Sequence, residues 1–319
     1  MASFFDFHFH PVFKKYISQY EDVYPSRRKP EELLGTVIPV KGFMKFLDGS
    51  FFHFLGSQSC FDQLTKGGYL FGVANIASLE YAIASSDSLM GFILKTELTD
   101  PLDKKYFNLV AHGGTSYYRL FLKELNLYAM LANTGSYKVP GAKAHINILS
   151  RKNSVAKPFD NYTGTTLAMA MEGGHNLNRN IIDHVKEDLD RPTAGPKDKM
   201  YADFAAYANT VLTPAQSLQR LFKAMWEEEL DLMYVTLTHL SYIWEMPLAT
   251  HAYGMKLLQH RYFYPAGNGL TPEGREVIKA AYGMAADGKK TPVLIDVKHM
   301  SLKSRLDFYK FREIGRAHV

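Results

Sequence analysis

The sequence predicts an α/β fold built on a parallel sheet. Two observations carry that prediction. Short apolar runs recur along the chain and end in polar or ionisable residues, and helical patterns lie between them. The first run is FFDFHFH (4–10), in which Phe5, Phe7 and Phe9 alternate with Asp6, His8 and His10. Alternate side chains of a strand face opposite sides, so the phenyl rings are expected to pack under helices while the acid and two imidazoles face the interior. The further runs are GGYLFGVAN (67–75), AHINILS (144–150), LAMAMEGGH (167–175), MYVTLTH (233–239) and PVLIDVKH (292–299). Between them, Phe121, Leu122, Leu125 and Ala129 recur at helical spacing. Thr213-Pro214 is an N-cap and first-turn pair that opens a stretch with Leu218, Leu221, Phe222 and Met225 on one face. Thr271-Pro272 repeats the device before Val277, Ile278, Ala281 and Tyr282, and Ser301 can cap a helix carrying Leu302, Leu306 and Tyr309.

At 319 residues, 46% hydrophobic and 22% charged, the chain can bury a core of one large domain or two ordinary ones. The net charge of +5 is spread thinly, and the short basic runs Arg27-Arg28-Lys29 and Lys197-Asp198-Lys199 read as solvated loops, so no nucleic-acid partner is expected. Cys60 is the single cysteine, which excludes an intrachain disulfide and an all-cysteine zinc site. MASFFDFHFHP lacks the pattern of a signal peptide, and no uncharged apolar run approaches the length of a membrane span. A cytoplasmic location is expected. Two stretches, near 152–165 and 178–201, read as polar insertions broken by Pro and Gly.

The chemistry gathers where the strands end. Two imidazoles two residues apart, His8 and His10, can ligate one metal ion; they can also be surface histidines on a half-exposed strand. Glu172 closes an apolar strand and runs into Gly173-Gly174, where the backbone can turn sharply and approach a ligand closely. A carboxylate there can bridge two cations, or simply belong to a loop. His239 and His299 close two later runs. Four strand ends in order, each carrying His or Glu, point jointly to a metal site. Nitrogen and oxygen ligands without thiolate suit zinc, with manganese, cobalt or iron as alternatives. His53, His112, His145, His184 and His260 lack this context; His175 and His251 are intermediate, and His175 stands close enough to Glu172 to support it.

The set DFHFHP, MEGGHNL, YVTLTHL, GLTPEGREVI and VLIDVKHMS resembles the membrane (renal) dipeptidase family of the amidohydrolase superfamily, in order and over nearly the whole chain. The resemblance implies a (β/α)8 TIM barrel with a binuclear zinc site and bridging hydroxide that cleaves dipeptides and related small amides. It places His8 and His10 on the first metal, Glu172 on the bridge, His299 on the second metal, and His239 on the substrate. The family carries His-x-Asp on its first strand where this chain has His-x-His.

The family also has a ligating histidine on strand six and a proton-handling acid on strand eight, and only 20 residues follow His299. The expectation is therefore an incomplete barrel of about five of its eight units: residues 1–312 as its N-terminal part, weakly active or inactive by itself and open to homo-oligomer formation. The closing EIGRAHV (313–319) back-translates to the read of a sequencing adapter and is expected to be a non-native tail, which removes His318 from any site. Two other readings stay open: a different amidohydrolase chemistry on lactones, cyclic amides or amino groups, or a metal-free barrel serving as a binding or scaffold protein.

Overall fold

The computed structural model describes residues 4–12, 45–46, 59–86, 88, 104–112, 115–133, 137–138, 145–149, 164–179, 212–227, 230–243, 246–254, 260–284 and 292–316. All six predicted runs form strands: β1 (Phe4–Phe9), β2 (Tyr69–Ile76), β4 (His145–Ile148), β5 (Thr165–Met171), β6 (Leu232–Thr236) and β7 (Leu294–Asp296). A two-residue strand, β3 (Tyr137–Lys138), pairs antiparallel with β4. The other pairings are parallel and give a ribbon β1-β2-β5-β6-β7.

β2 pairs with β5 continuously from Phe71↔Thr166 to Ile76↔Met171. β5 meets β4 through Thr165–Leu167 and β6 through Met169 and Met171, so β4 and β6 take successive stretches of its other edge. Every residue of β5 is buried. Its larger side chains Leu167, Met169 and Met171 join the main core with the helices, while Ala168 and Ala170 pack with Val73 and Tyr234 in a small second cluster. Glu172 continues the alternation of Ala168 and Ala170.

The ribbon is curled into a half-barrel. Four strand spacings of about 4.8 Å would set β1 and β7 roughly 19 Å apart in a flat sheet. Yet His8 from β1 and His299 from beyond β7 each place Nε2 3.0 Å from the same oxygen of Glu172.

The helices start where their caps predict. α1 (Phe61–Lys66), α2 (Tyr81–Ala84), α3 (Lys104–Ala111) and α4 (Tyr117–Asn133) precede β3, and α4 buries Phe121, Leu122, Leu125 and Ala129. α5 (Pro214–Glu227) opens on a reciprocal cap in which Thr213 Oγ1 accepts from Gln216 N at 3.2 Å and Gln216 Oε1 accepts from Thr213 N at 3.0 Å. α6 (Pro272–Gly283) opens with Thr271 Oγ1 accepting from Gly274 N at 3.0 Å, and α7 (Leu302–Arg316) with Ser301 Oγ accepting from Ser304 N at 3.2 Å.

One packing expectation is corrected. Phe5 and Phe7 are 53% and 58% exposed, so the outer face of β1 is covered only at its C-terminal end, where Phe9 is buried with its ring in the space that Gly72 leaves open. Among the described side chains of α7, Ser304 and Phe308 are buried, while Leu302, Leu306 and Tyr309 face outward. The interiors of both predicted insertions lie outside the described residues; at their edges, Thr165 already belongs to β5, and Asn178 N donates to His175 O. Of the predicted tail, residues 313–316 continue α7 and 317–319 lie outside the described residues. No described helix is long and apolar enough to cross a membrane.

Candidate metal centre

His8 lies within β1 and His10 directly after it, so strand alternation sends both rings to one side, with centroids 5.2 Å apart and planes at 87°. Glu172 follows β5 directly; its backbone N–H donates to Ile76 O at 3.0 Å, which keeps it in register with β2. The chain then turns at Gly173, whose φ of 94° favours glycine. A Cβ there would also collide with the His175 ring and approach His239 Cβ to 3.2 Å. Asn176 Nδ2 fastens the turn by donating to Glu172 O at 2.7 Å and Gly173 O at 2.9 Å. His239 and His299 each stand three residues past the ends of β6 and β7. His299 adopts φ 63°, a left-handed conformation uncommon outside glycine.

These elements bring all five predicted side chains together. The Glu172 carboxylate is 1% exposed. Its Oε1 lies 3.0 Å from His8 Nε2, 3.0 Å from His299 Nε2 and 3.5 Å from His239 Nε2. Its Oε2 lies 2.8 Å from His10 Nε2, without a hydrogen bond's alignment. Lys298 Nζ reaches within 3.8 Å of Oε1 from the more exposed rim. Burial by itself would raise the Glu172 carboxyl. The contacts with His10, His299 and His8, together with the charge of His239, outweigh it and hold the group ionised, well below the usual carboxylate range.

The outer nitrogens fix the rings. His10 Nδ1 faces the Asn75 carbonyl oxygen at 2.9 Å, so Nδ1 carries the hydrogen and donates. His8 Nδ1 lies 3.3 Å from the Tyr234 hydroxyl, which itself donates to Phe7 O at 2.8 Å; that oxygen is left to accept from His8. In the neutral ring, each histidine therefore presents an Nε2 lone pair to an ionised carboxylate. Lone pairs facing a carboxylate repel unless a positive charge lies between them, either a second proton on the ring or a metal cation. The donor set also fits one: two ligand atoms each about 2 Å from a tetrahedral zinc stand about 3.3 Å apart. Two three-residue groups satisfy the condition, His8, His10 and Glu172, and Glu172, His239 and His299, each with ligand atoms within 4.8 Å of one another.

Three neighbours, Glu80, Tyr234 and Asn75, escaped the sequence reading. Glu80, fully buried four residues past β2, meets His239 Nδ1, Leu240 N and Ser241 Oγ. Burial works to raise its carboxyl, but the charge and hydrogen bond of His239, with His175 and Ser241, lower it to about 2. Tyr234 and Asn75 hold the rings of His8 and His10. His251 is buried with Nε2 donating to Phe263 O at 3.1 Å, and burial lowers its pKa. His175 is buried, its Nε2 donates to Ser78 O at 3.1 Å, and its ring lies nearly parallel to that of His239 at 6.2 Å. Away from the centre, His112 is exposed and His260 caps a short 3-10 turn (Arg261–Phe263). His53, His184 and the side chain of His145 lie outside the described residues. The chain matches no protein-family model and no curated protein sequence.

Proposed function

We propose that this chain carries the metal centre of a zinc-dependent hydrolase of dipeptides or related small amides, set in a barrel of the (β/α)8 type. The observation that supports it best is the buried, ionised Glu172 with four imidazole nitrogens within 3.5 Å. His8, His10 and Glu172 would hold one divalent cation, and Glu172 with His299 a second. Bound there, such cations supply Lewis-acid polarisation of a carbonyl and lower the pKa of water. Glu172 contributes the negative charge shared by both positions. Asn75 and Tyr234 keep the two imidazoles of β1 aimed inward, and Asn176 keeps the turn after Glu172 closed. Lys298, 42% exposed at the rim, is placed to attract the carboxylate end of a short peptide. The placement of the centre at the C-terminal ends of parallel strands agrees with where barrel enzymes keep their chemistry.

The test is hydrolysis of dipeptides, lactones and cyclic amides by the zinc-loaded and the chelator-treated chain, with Glu172→Gln as control. Slow, zinc-dependent dipeptide cleavage that Glu172→Gln abolishes is expected. Zinc-dependent lactone cleavage without dipeptide cleavage would move the reading to another amidohydrolase chemistry, and a chain that takes up no zinc would remove it.

A further inference from the structure

We propose that His251 is a positioning residue for His299: it ties down the chain segment that holds this side chain's backbone in its left-handed conformation. The inference rests on the metal-centre reading above, in which His299 serves the second cation. His299 has φ 63°, a region that residues with a side chain rarely enter. Such a conformation persists only where the surroundings impose it, and it concentrates at functional sites. Among the described residues, the stretch 249–252 imposes it. His251 and Met300 form an antiparallel bridge. On one side of the bridge Ala252 N donates to His299 O at 2.6 Å, and on the other Ser301 N donates to Thr250 O at 2.9 Å. Ser304 Oγ, at the start of α7, donates to the same Thr250 oxygen at 2.8 Å. The backbone of His299 and of the two residues after it is thus fastened to one short stretch of chain.

That stretch is anchored at two places. Ala249 bridges to Leu270, and Thr250 N donates to Gly269 O at 3.0 Å. The second anchor is the His251 side chain, which is buried with Nε2 3.1 Å from Phe263 O. A carbonyl oxygen only accepts, so Nε2 is the donor. Nδ1 is left as a buried atom without a hydrogen-bond partner. An unpaired buried polar atom lowers stability, and a leucine would fill the space without one. What the imidazole supplies and a leucine cannot is the bond to Phe263. Through it the turn Arg261–Phe263, the stretch 249–252 and the ligand-bearing residues 299–301 become one unit.

Three variants of the whole chain test this, with circular dichroism as folding control. His251→Leu keeps the bulk and removes the donor. His251→Gln keeps a donor. Ala252→Pro removes the N–H that meets His299 O, at an exposed position outside the core. The first readout needs no metal: the one-bond Cα–Hα coupling of His299, which separates positive from negative φ. The second is zinc titration followed at the ring nitrogens of His8, His10 and His299 by long-range proton–nitrogen correlation. Wild type and His251→Gln should show the positive-φ coupling. His251→Leu and Ala252→Pro should lose it, and zinc should bind at His299 about 10-fold more weakly, with its affinity at His8 and His10 unchanged. A residue that only packs would neither be rescued by Gln nor spare the first position. Should His251→Leu fail to fold, Ala252→Pro decides. A retained coupling and unchanged zinc affinity at His299 in the variants overturn the inference and leave the metal centre standing. Equal weakening at all three rings, or a Gln variant no better than Leu, overturns it as well. A wild type in which zinc moves none of the rings overturns the metal-centre reading and this inference with it.

Discussion

Replacing Glu172 by Gln removes one negative charge where four imidazole nitrogens converge and changes the side chain's size very little. Both candidate metal positions share this carboxylate. Changing a group that merely supports a metal ligand costs 10–100-fold in affinity, so removing the shared charged ligand should cost at least about 100-fold, or about 3 kcal/mol, at each position. The fold should survive, because Glu172 stands past the end of β5 and its backbone hydrogen bond to Ile76 does not depend on the side chain. At neutral pH the metal-free variant should be less stable than the metal-free wild type by more than about 1 kcal/mol, since a carboxyl held well below its usual range stabilises the folded state by at least that much. The sign of any difference with pH is fixed. The folded carboxyl lies below its unfolded value, so what its charge contributes is present above about pH 4.3 and fades as the pH falls toward the folded value. Glu172→Gln lacks that contribution, so the two proteins should converge in stability on acidification. Calorimetric zinc titration at pH 7, with urea melts of the metal-free proteins at several pH values, measures both effects. Equal zinc affinity in the two proteins would refute the shared-carboxylate argument.

Three further outcomes follow from particular contacts. Gly173→Ala combines a backbone conformation that favours glycine with a collision against the His175 ring, and should cost about 2 kcal/mol or more; an unchanged urea midpoint would contradict it. Glu124 on α4 is fully buried with Oε1 unpaired, and burial pushes its carboxyl well above the usual range, so the folded state keeps a proton that the unfolded state releases. Wild-type stability should therefore fall as the pH rises past about 4.3, and Glu124→Leu should flatten that slope and gain about 1–3 kcal/mol at pH 7; matching slopes in melts from pH 4 to 8 would contradict it. Tyr234→Phe removes the oxygen that accepts from His8 Nδ1 and should weaken zinc binding about 10-fold at the first position, read by competition with a chromophoric chelator; unchanged affinity would show that the hydroxyl does not steer the ring.

The candidate metal centre was legible in the sequence where local periodicity fixes direction. His8, His10 and Glu172 follow from strand alternation and from what a glycine turn allows after a buried strand. Thr213, Thr271 and Ser301 mark helix starts because capping is settled within one turn. What was not legible depends on segments far apart in the chain. Glu80 reads as an ordinary acid at a helix start, and its contact with His239 exists only because the curled sheet brings together residues 159 positions apart. Alternation separates the two faces of β1 but does not say what covers the outer one, so Phe5 and Phe7, expected under helices, are exposed. Helical spacing on α7 groups Leu302, Leu306 and Tyr309 without saying which side meets the core. The direct pairing of β2 with β5 likewise rests on a register between distant strands.

The most direct test is the zinc content of the purified chain beside that of the His8→Ala, His10→Ala double variant, both dialysed against buffered zinc and read by elemental analysis. Both imidazoles leave one end of β1 and both meet Glu172. The account predicts bound zinc in the wild type and one ion fewer in the double variant, with unchanged far-ultraviolet circular dichroism. Equal zinc in the two proteins, or none in either, would contradict it.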